Sequence, residues 1–495
     1  MGIVVKQGIF NAVNLVTGFI IGAVNTIVLV PFVFDTPEKL ENWGWVSLIV
    51  NWGTIFSQFL NFGAIAIVIR YNPKFREQGK EGKSLFFAWL FPLVGTLLLG
   101  LFLLFGSEWF FGSISKNPVP GLVLFSFLMF IITFSFNFHR SMNGIAISRY
   151  KTVMIAFINE VFIRLLAIST LFLYYFEVIS LEGFFIAYSL TFVIQLIALF
   201  LFLGGFSLFK IDWPERSEFN ECANYGIYSF FDSGATILVS KIDIAMIGAM
   251  IGTIFIPYYS LAFFMATVVT VPYRSLLNIS LSVMADYYHN GEWGKISELY
   301  KKSSLNMLLS GGIIFILIWC SVDDVLATQP EEFKVAKYCF LFLGLAKLFD
   351  LFTSVNGIIL SITKYYRLNL VFTLIMLVFV VITNYFLIPV WDITGAALAT
   401  AVCVFVFNIM KSIFLFSKFG IHPIHKNTFM ALACLALPLA AGIFIPSFTE
   451  NHLLNAVIRS AIISGLFIPL VYFTRVSEEM NTIFGKVLVM VGVKK

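Results

Sequence analysis

Fourteen apolar runs, each long enough to cross about 30 Å of hydrocarbon, succeed one another along this chain. They begin near Gln7, Trp45, Leu85, Gly121, Thr152, Gly183, Cys222, Tyr258, Ser303, Lys337, Leu368, Gly395, Thr428 and Leu454. A bilayer interior holds no water to satisfy peptide groups, so runs of this length are expected to form helices. The chain therefore reads as an all-α polytopic membrane protein of about fourteen transmembrane helices. Its charged fraction, 12%, is roughly half the ~25% of soluble domains, which excludes that class. Cys222, Cys320, Cys339, Cys403 and Cys434 fall in apolar runs without metal-ligand spacing and read as packing residues.

Placing the charges gives an orientation. One set of alternate loops holds Arg70, Lys74, Arg76, Lys80 and Lys83; Arg140, Arg149 and Lys151; and Lys210 and Arg216. It continues with Lys295, Lys301, Lys302, Lys364, Arg367, Lys418, Lys426 and Arg475. The opposite set has Lys39, Lys116, Lys334 and Lys337 among acids such as Asp323, Asp324, Glu331 and Glu332, read as a solvated face. The positive-inside rule then places both termini in the cytoplasm. The first helix has no small-residue cleavage site after it and is expected to be retained.

The chain also repeats itself. Asn143-Gly144-Ile145, followed by Ser148, Arg149 and Tyr150, recurs as Asn356-Gly357-Ile358, followed by Ser361, Lys364 and Tyr365. Each copy ends a helix before a basic loop. Six helices per repeat is an even number, so the halves enter the membrane the same way round, as in parallel-repeat carriers. The expected division is residues 1–210 for the first lobe (helices 1–6), 211–425 for the second (helices 7–12) and 426–495 for two further helices. The repeat pairs helices 1 and 2 with helices 7 and 8.

Polar residues within spans cost free energy unless they face a partner or water, so their placement is informative. Helix 1 carries Asn11, Asn14, Gly18, Gly22 and Asn25 on one stripe, and helix 2 carries Ser47, Asn51, Thr54, Gln58 and Asn61. Helix 7 has Asp232 and Asp243 on a shared face, and helix 8 has Arg274 and Asn278 beyond Pro272. A water-filled cleft lined by these four helices is the economical reading, against simple helix packing. Arg274 suits an anionic group, because a guanidinium matches phosphate bidentately; a bridge to Asp232 or Asp243 is the alternative. Lys241 is expected to face the lobe interior. Glu160/Arg164 and Lys347/Asp350 are spaced to pair on their own helices, and Arg459 has no evident partner. His422 and His425 lack the helical context of a zinc site, and no phosphate-cradling glycine loop occurs. No enzymatic activity is expected. A membrane-embedded glycan polymerase or ligase would need reactive groups in a large external loop, and the loops are short.

Asn384-Tyr385-Phe386-Leu387-Ile388-Pro389, followed by Ile393-Thr394-Gly395-Ala396-Ala397-Leu398-Ala399-Thr400, resembles the helix 11–12 junction of polysaccharide flippases. These O-antigen and exopolysaccharide carriers belong to the multidrug/oligosaccharidyl-lipid/polysaccharide exporter superfamily. Asn61-Phe62-Gly63-Ala64 with Arg70-Tyr71, and Asp243 before Ile247-Gly248, resemble other segments of the same proteins. The resemblance implies flipping of an undecaprenyl pyrophosphate-linked oligosaccharide across the bacterial inner membrane by alternating access, for polysaccharide or lipopolysaccharide biosynthesis. It implies Arg274, Asn278, Asn14, Asn25, Asn51, Gln58 and Asn61 as substrate-binding residues. Asp232 and Asp243 would be candidates for coupling to Na+ or H+; no other cofactor, no metal and no nucleic acid is implied. Membrane lipids and polysaccharide polymerase machinery would be its partners. A cation-coupled multidrug exporter of the same superfamily is the alternative. Helix 1 lacks the cavity charges of the peptidoglycan-precursor flippases and the aspartate of drug exporters.

Overall fold

A computed structural model describes residues 3–490, and among them every regular element is helical. Among the described residues nine helices are long and apolar enough to cross a membrane, or eleven when two bent pairs each count as one span. Thirteen of the fourteen apolar runs begin within a helix, and the run from Gly121 begins one residue before the helix Leu122–Ser148. Two of them share the stretch Tyr366–Phe419, which is interrupted at Trp391 and Asp392, the latter at φ 48°. Just past that kink a Cβ on Gly395 would collide with the Leu387 carbonyl, and Ala396, Ala397 and Ala399 are fully buried. The Asn384–Thr400 motif is thus a close approach of two backbones that admits only small side chains. The helix Glu478–Met490 follows the last span and has no counterpart among the expected runs.

The chain divides into two compact units, one ending at Pro257 and one starting at Tyr258. The helix Arg216–Met250, assigned to the second lobe by the repeat, packs in the first unit against Pro37–Leu60 and Ala64–Glu77. Lipid tails are as apolar as leucine, so packing and internal polar bonds, rather than transfer from water, hold such units together. In the first unit Phe34 packs on Trp43 at 5.4 Å and on Phe184 at 5.5 Å, and Trp45 meets Phe125 edge-on at 5.6 Å. The outward face of Gly82–Ile114 exposes Leu104 and Phe105, as a lipid-facing surface should. In the second unit Phe315 stacks on Phe340 at 5.6 Å, beside a separate cluster that includes Tyr300, Ile359 and Leu415.

Polar knots close the helix ends of the first unit on the side of Arg149. Glu81 takes the Arg149 Nε at 2.8 Å, and Arg149 also donates to the Leu203 carbonyl at 3.0 Å. Burial pushes the Glu81 carboxyl up, but Arg149's hydrogen bond and charge, with Asn72, outweigh it and hold the group below its ordinary value. Lys83, buried, reaches Glu218 at 2.6 Å and Glu215 at 3.4 Å, fastening the start of Arg216–Met250.

Candidate functional site

The second span supplies the frame. Thr36 caps its start, accepting from the Lys39 N–H, and Pro37 fills the first helical position, where no N–H is needed. The helix stops at Leu60 and resumes at Ala64 after a 48° bend. Gly63 sits in the bend at φ 76°, and a Cβ there would strike the Gly226 carbonyl, so glycine is required twice over. Asn61 is fully buried within the bend. It donates to the Asn137 carbonyl at 3.1 Å and Ser141 Oγ at 3.0 Å, and accepts from the Ile65 N–H. Its amide protons are engaged in holding the broken helix to Leu122–Ser148.

One turn along that helix, Arg140 reaches back to the second span. Its Nε donates to Ser57 Oγ at 3.1 Å, Nη1 to Gln58 Oε1 at 2.7 Å, and Nη2 to the Thr54 carbonyl at 3.5 Å. Gln58 passes the connection on to Ser233 Oγ at 2.6 Å, and Asn51 donates to the Lys241 carbonyl at 3.1 Å. Ser233 and Lys241 are eight residues apart on Arg216–Met250, about two turns, and so share a face. Arg140 and Lys241 lie within electrostatic reach of each other, and neither meets a carboxylate among the described residues. Each cation in a span costs about 2.5–3.5 kcal/mol on insertion scales, and here only neutral groups offset that. Arg140 on the Ser57 hydroxyl, the Thr54 carbonyl and the Gln58 amide, with Lys241 within electrostatic reach, is a local excess of positive charge of the kind that suits an anion.

Arg140 corrects the sequence reading, which counted it with the basic loop. It lies eight residues before Ser148, about 12 Å inside the helix at 1.5 Å per residue. Its signal was present: Asn137, Arg140, Ser141, Gly144 and Ser148 form a polar and small stripe at helical spacing.

Elsewhere in the first unit the amides bind helices to one another. Asn11 donates to Thr152 Oγ1 at 3.2 Å and Asn14 to the Val153 carbonyl at 3.1 Å, so this part of the first-span stripe faces the fifth span. Gly18 lies against Glu160 and Arg164, which pair at 3.1 Å as their spacing suggested. Asn25 sits in a π-helical turn, Val24–Leu29, with its Oδ1 buried and unbonded. In a second π-turn, Ile158–Phe162, the Ile158 carbonyl accepts the Ile163 N–H and also Gln195 Nε2 at 3.4 Å, which donates to Asn159 at 3.2 Å as well. Asp243 is buried and Asp232 half-buried, and both are engaged by neighbours.

In the second unit, Arg274 and Asn278 lie on the helix Val271–His289 in a stretch whose side chains fall outside the described residues. The expected Lys347/Asp350 pair does not form. Asp350 accepts from Asn408 Nδ2 at 3.1 Å, Asn356 donates to Asn408 Oδ1 at 3.0 Å, and Lys347 sits over the Phe263 ring. Arg459 finds its partner in Asp324 at 2.8 Å and also donates to the Cys320 carbonyl at 2.6 Å. Asp324 is therefore buried rather than part of a solvated acidic face, while Asp323 stays exposed with Lys337. His425 accepts the Asn427 N–H on Nδ1 and helps shape a turn.

No protein-family model matches the chain, and no curated protein does. Solved structures do. The Lipid II flippase MurJ, in an inward closed conformation, superposes with a TM-score of 0.65 at 14% identity, covering 91% of this chain and 98% of that one. An inward-facing multidrug resistance MATE family transporter of the MOP superfamily gives 0.63 at 14% identity, over 80% and 94%. A MOP superfamily transporter from Pyrococcus furiosus, described as having a binding pocket of reverse polarity, gives 0.55 at 15%, over 84% and 96%. The chain has the fold of these membrane transporters.

Proposed function

We propose that this protein translocates an anionic, lipid-linked oligosaccharide across the bacterial inner membrane by alternating access, with both termini in the cytoplasm. The observation that carries the reading is the pair of unneutralised cations, Arg140 and Lys241, set among hydroxyl and amide groups within membrane-spanning helices. A pyrophosphate linkage offers the charge that such cations lack, and sugar hydroxyls match the Gln58 and Ser233 side chains. Arg274 and Asn278 would add a further cation and amide, and Asp232 or Asp243 would couple transport to Na+ or H+. The fold shared with a lipid II flippase supports a lipid-linked substrate. In this reading polysaccharide polymerase machinery takes up the product.

The test is a chromosomal Lys241→Gln replacement, since the Lys241 side chain holds no carboxylate. Undecaprenyl-linked glycan should accumulate on the cytoplasmic leaflet while the protein remains inserted at its normal level. Normal surface polysaccharide in Lys241→Gln and Arg140→Gln cells would overturn the assignment. The MATE likeness favours a second reading, a cation-coupled multidrug exporter. Two uncompensated positive charges repel cationic drugs, so dye efflux from proteoliposomes without any glycan phenotype would be needed to establish it.

A further inference from the structure

The repeated motif ends differently in the two units. In the second, the Tyr365 ring packs edge-on against Phe414 at 5.3 Å and Phe419 at 5.9 Å. In the first, Tyr150 is 68% exposed and makes no ring contact among the described residues. Its backbone closes the helix Leu122–Ser148: Tyr150 N–H bonds to the Ile147 carbonyl and Lys151 N–H to the Ala146 carbonyl. This cap sets Tyr150 at φ 58°, a left-handed conformation that strains an ordinary residue and favours glycine. A strained, exposed aromatic at a helix end needs a use.

Its surroundings suggest one. Tyr150 opens onto a hollow of about 500 Å³ lined by Gln7, Phe10, Asn14, Lys151, Phe157 and Phe202. Gln7 Nε2 donates to the Tyr150 carbonyl at 3.0 Å and steadies the rim. The Lys151 ammonium stands over the Phe202 ring at 5.1 Å and meets no carboxylate among the described residues, whereas neighbouring Arg149 is neutralised by Glu81. The hollow lies where the first, fourth, fifth and sixth spans end or begin, which is the depth of a membrane–water interface. One side is polar and cationic, and the other is phenylalanine.

We propose that this hollow binds an anionic phospholipid. Lys151 and the Tyr150 hydroxyl take the headgroup phosphate, and Phe10, Phe157 and Phe202 seat the first methylenes of an acyl chain. A lone lysine is worth about 1 kcal/mol toward an anionic surface, too little to hold a free anion from solution but enough to select one lipid over another. The apolar wall gives the lipid a hold that inorganic phosphate lacks. A lipid seated there fastens the first span to the fifth, and the site is separate from the Arg140 cluster.

The experiment uses the full chain in phosphatidylcholine nanodiscs with increasing phosphatidylglycerol, and counts retained lipids by native mass spectrometry. The wild type should prefer phosphatidylglycerol by about fivefold, the ratio that ~1 kcal/mol gives. Lys151→Glu should abolish the preference, and Lys364→Gln, the basic residue next to Tyr365 in the second unit, should leave it intact. Tyr150→Gly relieves the backbone strain while deleting the ring. It should therefore raise thermal stability in neutral lipid and still weaken phosphatidylglycerol retention, an outcome a purely structural role would not produce. Retention unchanged in Lys151→Glu, equal loss in Lys364→Gln, or displacement of the lipid by millimolar inorganic phosphate would each overturn the proposal.

Discussion

In the second unit Asn356 closes a buried chain through Asn408 to Asp350, whereas Asn143, its counterpart in the repeat, reaches only His139 at 3.3 Å and Asn159 at 3.5 Å. The same contrast runs through the charges. Arg459 of the second unit is matched by a buried carboxylate, and Asp350 by an amide. In the first unit Arg140 and Lys241 lie within reach of each other, and neither meets a carboxylate among the described residues. Among the described residues a buried arginine is paired with a carboxylate in the second unit and another is not in the first, although Lys347 of the second unit also stands on a ring rather than on a carboxylate. The sequence reading had amides from the first lobe and Asp232, Asp243 and Arg274 from the second facing the cleft; Arg140, counted with a loop, did not enter that comparison.

The contrast can be broken most severely at Arg459. Arg459→Ala strands Asp324 in a buried site, where unpaired charges cost about 3–5 kcal/mol. Its thermal midpoint in detergent should drop by many degrees, and the double change Arg459→Met with Asp324→Leu should restore much of it. A midpoint unchanged in Arg459→Ala would mean that this pair does not hold the second unit together.

Close backbone approaches come next. Gly95→Ala in the first unit and Gly395→Ala in the second push a methyl into the Leu60 and Leu387 carbonyls. Overpacking of this kind costs about 1–3 kcal/mol, readable as a lower midpoint in both. Equal losses would show that the units share their scaffold even where their charges differ.

The repeat itself offers a matched pair. Asn356→Ala leaves buried Asn408 short of a partner and should cost about 1–3 kcal/mol. Asn143→Ala, with only long contacts to lose, should cost less than about 1 kcal/mol. The reverse order would sink the account of the repeat.

The smallest effect is a pH dependence. Glu81 is held below its ordinary value of 4.5, so its contribution is present above about pH 4.5 and is lost as pH falls through its lowered folded value. Thermal stability should decline over that acid range, and Glu81→Gln should flatten the decline. An unchanged acid slope in the variant would remove the Glu81–Arg149 knot from the account.

Span positions were legible because bilayer thickness fixes run length, and every start falls in a helix or on the residue before one. The Glu160–Arg164 pair was legible because both residues lie on one helix four positions apart. Asp324 and Arg459 are 135 residues apart, and nothing local marks them as partners. Arg140 was missed because hydropathy locates a span's apolar stretch and not where its helix stops. For Asn14 and Asn61 the helical face could be read, but not which neighbouring helix stood across from it.

The most direct test of the Arg140 and Lys241 assignment is translocation of a short-chain undecaprenyl pyrophosphate oligosaccharide in proteoliposomes, comparing wild type, Arg140→Lys, Lys241→Gln and Arg459→Lys. Removing one charge-assisted contact of about 1.5–3 kcal/mol should slow Lys241→Gln by roughly ten- to a hundredfold. Arg140→Lys should be slowed less, and Arg459→Lys, if folded, should flip at close to the wild-type rate. Wild-type translocation by Lys241→Gln, with loss confined to Arg459→Lys, would contradict the account.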